Sequence, residues 1–270
     1  MTIVDLSVVW EEGMAANESM HPRAPLVIPF LRTWFTRPYL AEVWRAHGAP
    51  PAYDGLPADW VHPDTQRGYS DEAIWMNGHL GTHIDAATHF NSESKEDAAA
   101  IPLDSCMGTA VILDFRHKGK VPLEPFKITV SDIEEAENRA GVKVSKGDIV
   151  IIHTGWMAAW GIGPNASRER YGIYLNPGLD VDAPLWFIER GVKLVGGDMP
   201  NIDHDMTSTG HINWLCREAA GKDPIHIVEN LAHLEDVTVS RFLFIGLPLP
   251  IRNSTGSPIR AVAVIDEQLF

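Results

Sequence analysis

The 270-residue chain has little of what several protein classes require. Its formal net charge is -14 and no long Lys/Arg run interrupts it, which argues against a nucleic-acid backbone as partner. No apolar stretch approaches the roughly 18 residues of a membrane-spanning helix. The opening MTIVDLSVVWEEGM has neither a basic start nor a long apolar run and is not expected to be a secretory signal. Only two cysteines are present, Cys106 and Cys216, far apart, which argues against a disulfide framework and for a reduced, cytoplasmic setting. Neither has a neighbouring histidine or basic cluster, so a thiol nucleophile is rejected. A G-x-S-x-G elbow and a G-x-G-x-x-G loop are both missing, against a serine hydrolase and a dinucleotide enzyme. Small molecules and cations remain as partners.

What is present points to a packed fold. Hydrophobic residues make up 45% and charged residues 21%, a mixture that can bury one substantial core, and a single domain over 1–270 is expected. Short β-branched runs alternate with helix-like stretches, the pattern of an α/β protein. Strands are expected at 2–10, 109–115, 148–154, 192–197, 224–229, 241–246 and 259–265. Ser131 with Glu134 reads as a capping box opening a helix that ends at Gly141. Asp182, Pro184 and Gly191 bracket a second helix, and a third is expected from about Thr209 to Gly221. Residues 25–70 are rich in proline and aromatics and read as an insertion. Leu40, Val43 and Trp44 suggest one short helix there, and a lid, a subunit contact or closure of the core are its candidate roles.

The segment NGHLGTHIDAATHF, residues 77–90, holds three of the twelve histidines. His79, His83, Asp85 and His89 all fall on odd numbers, so an extended chain would turn them to one face. Gly78, Gly81, Thr82 and Ile84 disfavour a helix, and Asn77-Gly78 signals a tight turn leading into a strand or extended loop. Gly81 would leave clearance on that face. Two imidazoles and a carboxylate suit Zn²⁺ or Mn²⁺, which lowers the pKa of bound water from about 15.7 toward about 7 and polarises a carbonyl. His89 could then move a proton beside the metal. The spacing also fits a polar strand edge with solvated histidines, or the two-histidine, one-carboxylate set of a non-haem iron oxygenase.

His79-x-Gly81-Thr82-His83-x-Asp85, followed by His89-Phe90, resembles the signature of the cyclase-like metal-dependent hydrolases, whose relatives include bacterial kynurenine formamidases and isatin hydrolases. GDIVIIHTGW (147–156), VGGDMPNID (195–203), IVENLAHL (227–234) and LPLPIRNSTGSPIRAVA (247–263) are similar to later blocks of that family, in the same order. The resemblance implies a swivelling β/β/α fold with a mixed central sheet, assembled as a homodimer or homotetramer. It implies His79, His83 and Asp85 as metal ligands and His89 as general acid/base. Glu229 and His211 would hold a second metal, bridged by Asp85. Ala87 stands where the family commonly has proline, which removes a fixed backbone angle and no chemistry. The implied reaction is metal-dependent opening of an amide bond, a linear formamide or a cyclic amide, in a small aromatic substrate. A lactone or other cyclic ester is the alternative. The chain is longer than a typical bacterial kynurenine formamidase, so a cyclic amide is as good a candidate as N-formylkynurenine.

Elsewhere, His153 reads as a near-core histidine and His226 as a packing residue. Asp198 and Asp203 follow an expected strand end, where they would position loops or make turns. His204 and His233 are expected at the surface, and Arg260 in an ion pair.

Overall fold

The computed structural model describes residues 1–10, 30–52, 55, 57–74, 76–119, 125–157, 176–204 and 209–266. In chain order the elements are β1 (Thr2–Asp5), β2 (Phe30–Thr36), α1 (Arg37–Ala46), β3 (Arg67–Ile74), β4 (His83–Asp85), β5 (Met107–Asp114), β6 (Lys127–Ile128), α2 (Val130–Ala140), β7 (Ile149–His153), β8 (Gly178–Leu179), α3 (Ala183–Arg190), β9 (Leu194–Gly197), α4 (Thr209–Leu215), β10 (His226–Glu229), β11 (Arg241–Ile245), β12 (Gly256–Pro258) and β13 (Val262–Ile265). By contact the chain divides into two compact units, Val27–Met76 and the remainder.

The larger unit is built on a nine-stranded mixed sheet in the order β1-β13-β11-β5-β7-β9-β10-β4-β12. The centre of the sheet, β5-β7-β9-β10, is parallel. Ile149, Val150, Ile151 and Ile152 are fully buried, the composition expected of a strand covered on both faces. Crossover helices follow the parallel strands: α2 lies between β5 and β7 in the chain, α3 between β7 and β9, and α4 between β9 and β10. One core face is formed by Ile84, Ile112, Ile149, Ile151, Leu194, Val228, Phe242 and Phe244. No helix among the described residues is long and apolar enough to cross a membrane.

All seven expected strands are present, most of them shorter. The first is shorter than expected: past Asp5 one further bond follows the same register, Leu6 N–H to Ala261 O at 2.8 Å, and then Val8 N–H turns to the Thr82 hydroxyl at 2.8 Å. β12, which reads Gly-Ser-Pro, was not expected; it lies at the sheet edge, where Pro258 owes no N–H to a neighbour. The cap of α2 also differs. Thr129, not Ser131, is the N-cap, and Asp132 N–H donates to its Oγ1 at 3.3 Å while Asp132 Oδ2 accepts from Thr129 N–H at 2.8 Å. Thr-x-x-Asp performs the same exchange two residues earlier. α2 and α3 end at Gly141 (φ 65°) and Gly191 (φ 69°), as the glycines imply. α4 passes into a 3-10 turn at Cys216–Ala220 and stops at Gly221.

The unit Val27–Met76 holds more than one helix. β2 and β3 pair antiparallel, Phe30 against Ile74 through Thr36 against Arg67, and α1 follows β2 directly. The polar run RGYSDEAI concealed β3, since a strand outside the core needs no apolar alternation. Phe35 packs on Tyr39 and Tyr69 with ring centroids 5.7 and 4.9 Å away. Leu40 and Ala41 are the buried residues of α1, whereas Trp44 is 52% exposed.

Glu137 on α2 is fully buried and ties this layer together. Its carboxylate accepts from Val144 N–H at 2.6 Å and Lys143 Nζ at 3.0 Å, with Arg190 of α3 at 3.5 Å. Glu137→Ala is expected to lower stability by about 2–3 kcal/mol by leaving these donors unmatched, read as a lower denaturation midpoint in urea; an unchanged midpoint would contradict this role.

Candidate functional site

The histidine segment reaches its site by a turn, a short strand and a second turn, not as one extended run. Asn77 Oδ1 accepts from His79 N–H at 2.8 Å and closes the first turn. Gly81 takes φ 63°, a left-handed conformation, so the conformation is what calls for glycine there. β4 then carries His83 and Asp85 on one face, and Ala87–His89 forms a 3-10 turn that brings His89 back toward them. β10 runs antiparallel to β4 with Glu229 opposite His83. Directly opposed residues share a face, so the sheet itself sets Glu229 beside the histidine. On the other flank β12 sets Gly256 opposite Asp85.

The structure brings together all six residues singled out in the sequence. His79 Nδ1 lies 2.7 Å from Asp85 Oδ1, and His83 Nε2 lies 3.5 Å from both Asp85 Oδ1 and Glu229 Oε2. His211, from α4, places Nε2 3.5 Å from Asp85 Oδ2 and 3.3 Å from Glu229 Oε1. The His89 ring is 4.2 Å from that of His79 and 6.3 Å from that of His211, centroid to centroid. Two sets of donor atoms each fall within 4.8 Å of one another: His79, Asp85 and His89, and His83, Asp85 and Glu229. Asp85 belongs to both.

A further layer aims these groups. His83 Nδ1 donates to Gly81 O at 2.8 Å, which turns Nε2 toward Asp85 and Glu229. His211 Nδ1 donates to Asp203 Oδ2 at 2.8 Å, and Asp203 also accepts from Gly210 N–H at 2.8 Å. Glu229 Oε1 accepts from Ile202 N–H at 3.2 Å. His79 Nε2 lies 2.9 Å from the Thr255 hydroxyl. A Cβ at Gly256 would stand 2.5 Å from Cε1 of His79, so the imidazole occupies the space a side chain would take. Asn230, itself at φ 57°, donates to Gly81 O at 3.1 Å and fixes that carbonyl.

Burial and charge divide the titrating groups. Burial pulls the pKa of His83 down to about 4, against Asp85, and that of His89 likewise to about 4. Burial also opposes charge on His79, but Asp85 and then Glu229 outweigh it and raise its pKa. His211 is raised well above its ordinary value despite burial, because it donates to Asp203 and the carboxylates of Asp85 and Glu229 face its other ring nitrogen. Burial would raise Asp85, yet His89, His79 and His211 hold its carboxyl well below the usual range. Glu229 goes up to about 7 through burial, with the Asp85 charge adding to it.

This set fits a divalent cation. Asp85 is 1% exposed and neither of its oxygens accepts a well-formed hydrogen bond, so a buried anion lacks full compensation among the described residues. Imidazole and carboxylate are the donors a borderline metal takes, and the outward nitrogens of His83 and His211 are oriented as ligand histidines are.

Other candidates fall outside the cluster. Asp198 serves a turn, accepting from Thr154 N–H, the Thr154 hydroxyl and Gly155 N–H at 2.9, 2.7 and 2.7 Å. Asp203 does the positioning work. His153 is buried at the end of β7, and His204 and His233 are half-buried, not surface residues. Arg260 pairs with Asp5 at 2.6 Å. Burial pushes the Cys106 thiol up to about 12, as an inert thiol requires. Thr255, Gly256 and Asn230 lie in family-like blocks but were not singled out, because their roles come from contacts made across the chain.

A mixed sheet that gathers a buried imidazole–carboxylate cluster on one face defines an α/β protein with a candidate divalent-metal centre. The chain belongs to the Cyclase family: that family model, described as "Putative cyclase", matches residues 4–204. It is 28% identical over 194 residues to a kynurenine formamidase of Bacillus cereus, covering 70% of this chain and 77% of the relative. A kynurenine formamidase of Erythrobacter litoralis is 29% identical over 189 residues, covering 69% and 73%. The fold is that of an isatin hydrolase crystallised with the product analogue thioisatinate, with TM-score 0.69 and 18% identity over 98% of this chain and 92% of the other. Isatin hydrolase A from Ralstonia solanacearum gives TM-score 0.66 and 20% identity over 98% and 92%.

In the metal-free protein, His211 should titrate above 6.5 by ring-proton NMR. Asp203→Asn removes the carboxylate that favours the imidazolium, so the pKa should fall. An unchanged titration would show that Asp203 does not govern this ring.

Proposed function

We propose that this chain is a metal-dependent amidohydrolase acting on C–N bonds other than peptide bonds, which opens a linear formamide or cyclic amide in a small aromatic substrate. The observation that carries the reading is Asp85, a buried carboxylate without a well-formed hydrogen bond, shared by two His/carboxylate clusters. The formamidase relatives and the isatin hydrolase fold support the amide as the bond attacked.

By the family resemblance His79, His83 and Asp85 would hold the cation and Asp85, His211 and Glu229 a second, although in the metal-free arrangement His79 and Asp85 group with His89, and His83 and Asp85 with Glu229. When bound, Mn²⁺ or Zn²⁺ lowers the pKa of its water toward about 7 and polarises the substrate carbonyl. The chain's own residues supply the rest. His89, uncharged at neutral pH through burial, takes a proton as water adds to the carbonyl carbon and returns it to the leaving nitrogen. Amide cleavage then yields a carboxylate and an amine. Gly81 O keeps the protonated nitrogen of His83 away from the site, and Asp203 does the same for His211. Because Glu229 and His211 also converge here, the donor set exceeds the three groups of an oxygenase triad.

The same reading places the protein in the cytoplasm as a homodimer or homotetramer, without nucleic-acid or membrane partners. Net charge -14 supports the last point. Tyr39, Trp44 and Tyr69, exposed by 49, 52 and 45%, supply apolar surface of the kind a subunit contact covers.

The test joins metal analysis to an anaerobic hydrolysis screen on formanilides, isatins and other cyclic amides. His83→Ala should lose bound Mn²⁺ or Zn²⁺ and drop kcat/KM by more than about 100-fold, since losing even a group that merely orients a ligand costs about 10–100-fold. His89→Ala should keep the metal while kcat falls by about 10²–10⁴-fold. Unchanged metal content and turnover in His83→Ala would overturn the proposal.

A further inference from the structure

The 3-10 turn that carries His89 is held from behind by a pair the reaction does not use. His226 opens β10, its side chain 1% exposed, and its Nε2 donates to Glu96 Oε1 at 2.9 Å. Three residues along the same strand stands Glu229, whose side chain leaves the opposite face. β10 therefore contributes one carboxylate to the reactive cluster in front and one imidazole behind it.

Glu96 in turn accepts two successive amides of the turn. Ala87 N–H donates to its Oε1 at 3.4 Å, and Thr88 N–H donates to its main-chain carbonyl at 3.2 Å. His89 N–H closes the turn on Ala86 O at 2.9 Å. Ala87 occupies the first position of the turn and Ala86 before it is extended, with φ -87° and ψ 159°. That is backbone geometry a proline at 87 would accept, both at its own position and at the one preceding it. A proline there would fix φ covalently and have no N–H to donate. Alanine leaves φ free and leaves a donor, and Glu96 takes that donor.

We propose that Glu96 and His226 are positioning residues for His89: the hydrogen-bonded pair clamps the Ala87–His89 turn and supplies the constraint that a proline at position 87 would supply covalently. The inference rests on the reading of His89 as the proton carrier. A hydrogen bond from the enclosed His226 ring to the partly buried Glu96 carboxylate fixes where that carboxylate stands against the turn. Misplacing a proton-transfer group by about 1 Å is enough to cost about 100-fold in rate.

Three variants test it in the metal-loaded enzyme: Glu96→Ala, Glu96→Gln, and Glu96→Ala combined with Ala87→Pro. Glu96→Ala should lower kcat by about 10–100-fold with KM and metal content unchanged. Glu96→Gln, which retains an acceptor, should stay near wild type. Adding Ala87→Pro to Glu96→Ala should restore most of kcat, a rescue that a merely structural role for Glu96 would not produce. A second readout is free of turnover: in the metal-free protein the His89 ring resonances should move in Glu96→Ala, return in the double variant, and leave those of His83 in place. If Glu96→Ala does not fold, His226→Leu removes the anchor of Glu96 and should give the same loss of kcat and the same movement of His89. Unaltered kcat and His89 resonances in Glu96→Ala, or a loss that proline fails to restore, would overturn the inference. Wild-type protein that turns over no amide, yet shows the His89 movement and its rescue, would overturn the reaction and leave the clamp standing.

Discussion

The Asp85 carboxylate lies on β4 in the larger unit, one per cent exposed, with four imidazoles around it and no well-formed hydrogen bond to either oxygen. A buried anion left so incompletely matched is costly, and the surrounding structure is organised to bear that cost. β4 pins Asp85 between β10 and β12, so its position follows from two ladders of main-chain hydrogen bonds. The same ladders set Glu229 against His83 and clear a space at Gly256 for the His79 ring. Removing the sheet register by one residue would turn His83 and Asp85 into the core and Ile84 toward the site.

The charge arrangement follows from the same constraint. Asp85 stays ionised because imidazoles face it, while His83 and His89, denied solvent, stay neutral and keep lone pairs available. His79 and His211 are the exceptions, drawn toward the cationic form by the carboxylates that face them. A divalent cation placed among these groups would replace that proton charge, which is how one cluster can be both stable in its apo form and ready for a metal. Around it stands a ring of single-purpose contacts: Gly81 O, Asp203, Thr255, Asn230 and the Glu96–His226 pair. Each fixes one ring or one turn and touches no reacting atom.

Much of this was legible in the sequence, for definite physical reasons. The apolar strands of the parallel centre read clearly because strands buried on both faces are apolar at nearly every position. The spacing of His79, His83, Asp85 and His89 identified the cluster, although the geometry that joins them is a turn, a three-residue strand and a 3-10 turn, not one extended run. His211 and Glu229 could be named only through family resemblance, because no local pattern records that α4 and β10 end beside β4. β3 and β12 were hidden by polar, glycine and proline residues that edge or exposed strands tolerate. The roles of Thr255, Gly256 and Asn230, residues of family-like blocks, could not be read locally, since each acts on a residue more than a hundred positions away.

The central claim is that Asp85, with His79 and His83, holds a divalent cation. Diffraction from crystals equilibrated with Mn²⁺ or Zn²⁺, recorded on both sides of the metal's absorption edge, measures this directly. An anomalous peak should lie about 2.0–2.2 Å from a carboxylate oxygen of Asp85 and from imidazole nitrogens of His79 and His83, the distances such ligands adopt. Saturating metal with no peak at Asp85, or a peak only at surface carboxylates, would contradict it.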